Sequence, residues 1–238
     1  MPASAWAAQN LVLVSDPWCP VACAASAPRP GYMVEIAKAV FEPAGYRVDY
    51  QVVPFARAEM MINNGEAAGF LGVLKLPKRQ HWVFPASAQA TSRVCFYTRP
   101  SDSWTYSGDK SLHKLSLGTI RGYSYGAEID QKLALSNVDE VGGIDAFKRN
   151  VSKLMVNHLD AIVEYELVAQ YQFHQAKTQL RNAGCGRTND SLYIGFSPKR
   201  RDARELAQLL DEGVNALRKS GQLKQILQSY GVSDWVVK

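Results

Sequence analysis

The sequence predicts an α/β protein, and three observations carry that prediction. Short apolar runs of strand length alternate with stretches of helical periodicity. The alternation is β-α-β-α-β, and it occurs twice, before and after a polar, turn-rich stretch from Pro100 to Gly108. No run of about eighteen apolar residues interrupts it, so the chain as it stands contains no membrane-spanning helix. Such an alternation builds open, mostly parallel sheets covered by helices.

Leu11–Val14 is an apolar run suited to a buried parallel strand. Asp16–Pro30 holds Pro17, Pro20, Pro28 and Pro30, too many for sustained regular structure. Ile36, Ala37, Val40 and Phe41 share one helical face, and Pro43 with Gly45 ends that helix. Tyr46–Val53 alternates as a strand, Arg57–Asn64 suits a short helix closed by Gly65, and Ala67–Leu74 is a third strand. Thr91–Tyr97 reads as an extended segment leading out of this first unit.

The pattern then restarts. Leu115–Ile120 is a strand, followed by the loop Arg121–Gly126 and a helix near Ala127–Leu135. Val138–Val141 is a short strand. Ile144, Phe147, Val151, Leu154 and Met155 form the apolar face of an amphipathic helix. Asp160–Val163 and Glu166–His174 are the next strand and helix, and Leu192–Phe196 is a return strand. Ser197–Pro198 has the form of an N-cap with proline at the first helical position. Leu206, Leu209, Leu210, Val214 and Leu217 line the long helix that follows, Ser220–Gly221 breaks it, and Leu223, Ile226, Leu227 and Tyr230 form a last short one. Two arrangements satisfy this order: one doubly wound sheet, or two lobes with the helical tail returning to the first.

Composition narrows the class. The 238 residues are 47% hydrophobic and 21% charged, which excludes intrinsic disorder, collagen and repeat arrays. The net charge of +5 is unevenly spread: residues 101–198 carry 10 basic and 11 acidic side chains, and both flanking sections are net basic. The basic clusters Lys78–Arg79 and Lys199–Arg201 lack any zinc-finger or aromatic-basic motif, so nucleic acid is not an expected partner. Cysteines stand at 19, 23, 95 and 185. Cys19 and Cys23 are close enough to close a small loop by a disulfide; free thiols, or two metal ligands, are the alternatives. No second Cys or His pair is spaced to complete a tetrahedral metal site. Cys95–Cys185 is the other pairing. Ala5-Trp6-Ala7 has the small-x-small pattern of a secretory cleavage site, and with the cysteines it favours export by a signal peptide to an oxidising compartment.

Six stretches, in their order and spacing, carry a resemblance to a known family. They are Gly31-Tyr-Met-Val-Glu-Ile36, Gly45-Tyr-Arg-Val48, Lys78-Arg79 followed by Val83-Phe84-Pro85, Leu117-Gly-Thr-Ile120, Leu159-Asp-Ala-Ile-Val163 and Ser220-Gly-Gln-Leu223. Over residues 11–232 the chain resembles the extracellular solute-binding proteins of family 3, the amino-acid-type binding proteins of ABC transporters. The resemblance implies a type II periplasmic-binding-protein-like clamp of two α/β lobes that closes on a ligand. Residues 1–97 and 192–238 would form one lobe and 98–191 the other, with hinge crossings near 94–98 and 190–194.

The resemblance also implies roles. Arg79 stands where family members clamp the ligand α-carboxylate, a task suited to the planar guanidinium fork. Leu76 departs from the Thr-x-x-Arg run usual there, which leaves Gly72 and Leu74 to contribute backbone groups. Trp18 and Phe55 lie in loops whose aromatic residues pack on the ligand in similar proteins, and Arg57 follows Phe55. Ser124 lies in a loop similar to the family's second anion-binding turn. Amino-acid binders usually place an aspartate five residues after the aspartate matching Asp160; here Tyr165 stands there, flanked by Glu164 and Glu166, so the amine-binding half departs from the pattern. The ligand-binding candidates there are Tyr165 and, as the substitute carboxylate if the loop shifts, Glu164. The expected partners are a small-molecule solute and a membrane permease. No cofactor, metal or catalytic residue is called for, and the protein is expected to be a monomer. A ligand-sensing module and a dehydratase-like enzyme are the rival readings. None of His81, His113, His158 and His174 joins a recognisable catalytic arrangement, and Glu164 is the one acid worth testing as a catalyst.

Overall fold

Leu11, Leu13 and Val14 are fully buried, and the strand they belong to organises the first half of the molecule. The computed structural model describes residues 8–24, 26–112, 114–176 and 179–236. Ala5-Trp6-Ala7 lies outside the described residues. The chain divides into two units: residues 1–53, 57–90 and 192–238 form the first, and residues 54–56 and 91–191 the second.

In the first unit, strand β1 (Gln9–Ser15) pairs in parallel with β2 (Tyr46–Val52), Leu11 opposite Val48, and with β3 (Gly69–Val73), Leu13 opposite Gly69. β3 then pairs antiparallel with the end of β8 (Arg181–Phe196), Phe70 opposite Gly195. Helices α1 (Tyr32–Phe41), α2 (Phe55–Asn64), α6 (Ala203–Lys219) and α7 (Gln222–Gln228) complete the unit, although the first residues of α2 pack with the second. The near-continuous apolar face of α1 explains its burial: Tyr32, Met33, Val34, Ile36, Ala37, Val40 and Phe41 are all inside. It packs against α6, where Gly213 admits Val40 so closely that a Cβ would come within 2.5 Å of it.

In the second unit, β5 (Ser116–Ile120) lies parallel between β6 (Asn137–Val141) and β7 (Ala161–Tyr165), and β7 pairs antiparallel with β4 (Ala90–Thr98). Helices α3 (Gly126–Leu133), α4 (Ala146–Met155) and α5 (Glu166–Ala176) connect these strands. Cys95, Tyr97, Leu154, Leu159, Ile162 and Ala169 form one buried cluster of the core. Two disulfides are present, Cys19–Cys23 and Cys95–Cys185. Among the described residues no helix is long and apolar enough to cross a membrane.

Four details differ from the sequence expectation. Thr91–Tyr97, expected in the first lobe, packs with the second unit, because Val94–Tyr97 pair along β7. The return strand begins at Arg181 rather than Leu192, since its polar first half is held by pairing and by the Cys185 disulfide rather than by its own hydrophobic pattern. Ile144 and Met155 are exposed: α4 starts only after Asp145, which leaves Ile144 in the preceding loop, and its buried residues are Ala146, Asn150 and Leu154. Ser197–Pro198 does not cap a helix. The Ser197 hydroxyl donates to the Ile62 carbonyl at 2.6 Å, and α6 begins later, behind Asp202.

Candidate functional site

The expected site residues fall into two groups, one in each unit. In the first, β1 runs into a tight turn in which the Trp18 amide donates to the Ala22 carbonyl at 2.6 Å. The turn is closed by the Cys19–Cys23 disulfide. Trp18 is thereby folded back and buried against Gly72. Gly72 has φ +80°, and any Cβ there would stand 2.9 Å from the Trp18 ring, so both backbone conformation and close approach require glycine. Leu74, just beyond β3, is buried.

Arg79 closes a short 3-10 turn at Pro77–Arg79 and is only 2% exposed. Its Nε donates to Glu59 Oε1 at 2.9 Å and its Nη1 to the Leu74 carbonyl at 3.2 Å. The guanidinium also lies 5.3 Å from the centre of the Trp82 ring. A buried cation of this kind persists only with a counter-charge and hydrogen bonds, and Glu59 on α2 supplies the charge. The structure thus brings together Trp18 with Gly72 and Leu74 with Arg79. Arg57, in the first turn of α2, is exposed.

The second group is built on the loop after β5 and the end of β7. Phe55 packs with this unit, its ring 4.7 Å from that of Tyr123 and in contact range of Gly122. Ser124 directs its hydroxyl to Asp130 Oδ2 at 2.5 Å, while the Tyr125 amide donates to Asp130 Oδ1 at 2.7 Å. Asp130 therefore fixes the entry to α3, and the Ser124 hydroxyl takes part in that fixation. Glu164 and Tyr165 are both buried in β7, but as neighbours on a strand they point to opposite faces. Glu164 Oε1 accepts from the Tyr165 amide at 2.7 Å.

The Tyr165 hydroxyl lies 3.1 Å from the Ser124 carbonyl oxygen and 3.1 Å from Asp190 Oδ2. Asp190 comes from β8 and rests against Gly126, where a Cβ would meet its carboxylate at 2.5 Å. Burial, reinforced by the negative charges of Asp130 and Glu128, raises the Asp190 pKa, while the Tyr165 hydrogen bond works the other way. Burial and the neighbouring Asp190 likewise push the Tyr165 hydroxyl well above the usual tyrosine range, so it stays protonated at neutral pH.

Sequence reasoning missed Glu59, Trp82, Asp130 and Asp190. Asp190 sits in the polar stretch Thr188–Ser191, where no strand or helix was expected, and no local pattern connects it to Tyr165. Glu59 follows Arg57 by two residues on α2, a spacing that carried no signal towards Arg79. The sulfurs of Cys95 and Cys185 lie near a Glu166 carboxylate oxygen. The cysteines are joined to each other, and Glu166 is held by Arg93 at 2.6 and 2.9 Å, so this group is structural rather than metal-binding.

The architecture is that of the type II periplasmic binding proteins. Three solved structures illustrate it. One is a substrate-binding protein of an ABC uptake transporter from Streptococcus pneumoniae with bound histidine: 17% identity, TM-score 0.80, covering 96% of this chain and 95% of that one. A histidine kinase sensor domain with similarity to periplasmic binding proteins shares 17% identity with a TM-score of 0.80, covering 94% and 96%. An ancestral amino-acid-binding protein, a precursor of cyclohexadienyl dehydratase, shares 14% identity with a TM-score of 0.76, covering 93% and 95%. At these identities the likeness is one of fold. No curated protein matches the chain. The sequence pattern of the bacterial extracellular solute-binding proteins, family 3, matches residues 12–233, and the chain belongs to that family.

Proposed function

We propose that this protein is an exported solute-binding protein that captures a small amino-bearing solute, an amino acid or related carboxylate, for uptake through the membrane permease of an ABC transporter. Family membership supports the binding role, and the histidine-bound neighbour supports the solute class. The observation that carries the amine is the convergence of the Ser124 carbonyl, the Tyr165 hydroxyl and the Asp190 carboxylate. These three oxygens have one hydrogen among them. An ammonium group offers three N–H donors and a positive charge to such a spot. Asp190 then does the work of the carboxylate that amino-acid binders of this family carry at the position of Tyr165.

Arg79 is the proposed carboxylate ligand. Glu59 is its resident counter-ion, so a solute carboxylate reaches Arg79 by replacing Glu59. Trp18 and Phe55 are the proposed aromatic walls, Gly72 and Leu74 contribute backbone groups, and Arg57 supplies a further exposed charge. Closure of the two lobes on the solute completes the reading.

The test is a thermal-shift screen of ligand-stripped protein against amino acids, their des-amino analogues, diamines and short peptides, followed by calorimetry on the hits. Binding to the folded protein raises its Tm by linkage. A rise with amino acids that is absent with their des-amino analogues supports the reading; equal responses to both remove the amine site from it. Product analysis of the same mixtures distinguishes binding from turnover, since a dehydratase consumes its ligand.

A further inference from the structure

Asp190 is carried by a stretch of chain that does little to hold itself. From Arg181 to Ser191 only Ala183 and Gly186 are buried, while Asn182, Arg187, Thr188 and Asn189 are exposed. The first half of β8 is therefore placed by what grips it rather than by a hydrophobic face of its own. It lies beside β4 in the sheet, and Cys185 is tied there to Cys95. The Ala183 carbonyl accepts from the Tyr106 amide at 2.7 Å. Both of these grips lie upstream of Asp190.

A third grip, closer to Asp190, comes from α3. Glu128 Oε2 accepts from the Arg187 amide at 3.1 Å. Its other oxygen, Oε1, accepts from Lys132 Nζ at 2.9 Å. Glu128 and Lys132 are four residues apart on the helix, the spacing that puts two side chains on one face. Lys132 Nζ in turn donates to the Tyr106 hydroxyl at 2.7 Å. Gly186 lets the helix come close: a Cβ there would stand 3.3 Å from Ile129 Cδ1. Helix α3 thus meets this stretch at Gly186 and Arg187, and again where Gly126 meets Asp190.

On charge alone Glu128 would drive Asp190 away. The Lys132 ammonium offsets that charge and holds the Glu128 carboxyl below its ordinary range, so Glu128 stays ionised at neutral pH. An ionised carboxylate is also the stronger acceptor for a backbone amide. What remains of the repulsion is one of the causes that raise the Asp190 pKa. Both Glu128 oxygens are therefore engaged in holding the chain and its neutralising cation.

We propose that Glu128 is a positioning residue for the amine site: through the Arg187 amide it holds the chain that carries Asp190, and so the carboxylate that receives the solute amine. The inference rests on the amine reading of Tyr165 and Asp190. It goes beyond that reading in assigning part of the selectivity for amines to a residue outside the site.

The experiment compares Glu128→Ala and Glu128→Gln with the native protein and Asp190→Asn, in two ways. Amide hydrogen exchange of residues 186–191 without ligand reads local opening of the chain. Calorimetry reads the affinity for amino acids that raise the Tm, L-histidine first, against their des-amino analogues. Glu128→Ala should speed the exchange and weaken the amino acid roughly three- to tenfold, the range that one lost hydrogen bond gives, with the analogue unchanged. Glu128→Gln, whose carbonyl oxygen still accepts from one of the two donors, should lose less on both counts. A merely structural defect would weaken both compounds alike. Unchanged exchange in Glu128→Ala, or no selective loss of the amino acid, overturns the proposal; a selective loss in Asp190→Asn would then leave the amine site standing. If Asp190→Asn shows no selective loss, or no amino acid binds, the amine reading fails and takes this inference with it.

Discussion

The hydroxyl oxygen of Tyr165 lies 3.1 Å from Oδ2 of Asp190, although the two residues are 25 positions apart in the chain. They come from β7 and β8, which have β4 between them in the order of strands. The pair puts a carboxylate beside a position where the sequence offers only a phenol. In the proposed reading this carboxylate receives the amine of the solute.

Asp190→Asn keeps the size of the side chain and removes its charge. Hydrogen bonds to a charged group contribute about 1.5–3 kcal/mol, so amino-acid affinity should fall roughly ten- to hundredfold. Tyr165→Phe, which removes a neutral partner, should cost less, about threefold to tenfold. Calorimetry against an amino acid and its des-amino analogue checks this. A matching loss for both compounds would mean that the variant damages the fold rather than the amine contact.

The raised pKa of Asp190 also predicts a pH dependence of stability. The folded state binds this proton more tightly than the unfolded chain, whose aspartate titrates near 3.8. The associated stability is therefore fully present below that value and is lost as pH rises through the raised folded pKa. Compared with Asp190→Asn, the native protein should lose Tm over this acidic window and keep a constant deficit above it. Thermal unfolding from pH 3 to 8 in both proteins measures the difference. Parallel curves would show that Asp190 ionises in the folded protein as it does in the open chain.

Arg79 and Glu59 need to be tested together. Removing one partner of a buried ion pair costs about 3–5 kcal/mol, and Arg79 is almost entirely buried. Arg79→Ala should thus lower stability by about 3 kcal/mol or more whether or not Arg79 touches ligand. Glu59→Gln separates the roles: if a solute carboxylate replaces Glu59, removing this competitor tightens carboxylate binding while still lowering Tm. Denaturant titration gives the stability change and calorimetry the affinity. Weaker binding in Glu59→Gln would identify Glu59 as a support of the site rather than a competitor.

The two disulfides should differ in worth. Cys95–Cys185 closes a span of 90 residues and Cys19–Cys23 one of four. Loop-closure entropy assigns them about 4.7 and about 2 kcal/mol respectively. The double variant Cys95→Ser/Cys185→Ser should lower the unfolding midpoint clearly more than Cys19→Ser/Cys23→Ser. Because Cys19–Cys23 shapes the turn carrying Trp18, the second pair of substitutions should affect ligand affinity more than its stability cost suggests.

Most of the secondary structure was legible because burial imposes a local period. The apolar face of α1, the stripe Leu206–Leu210–Val214–Leu217 on α6 and the run Leu11–Val14 each record contact with a core. Boundaries were less legible where tertiary contacts rather than side-chain pattern hold the backbone. Residues 181–191 alternate poorly and carry polar side chains, yet they are strand because neighbouring chain and a disulfide hold them. Ser197–Pro198 has the local chemistry of a cap, but its hydroxyl is drawn to Ile62, across 135 positions.

The sequence by itself determined the α/β class and the residue types available for recognition, since these follow from composition and periodicity, and its six short stretches carried the resemblance to the family that the match over residues 12–233 bears out. Tertiary structure alone decided which of those residues meet. It buried Arg79 against Glu59, turned the Ser124 hydroxyl towards Asp130 and brought Asp190 to Tyr165. Hydrogen bonds and ion pairs act over about 3 Å in space at any separation along the chain, and no local pattern records them.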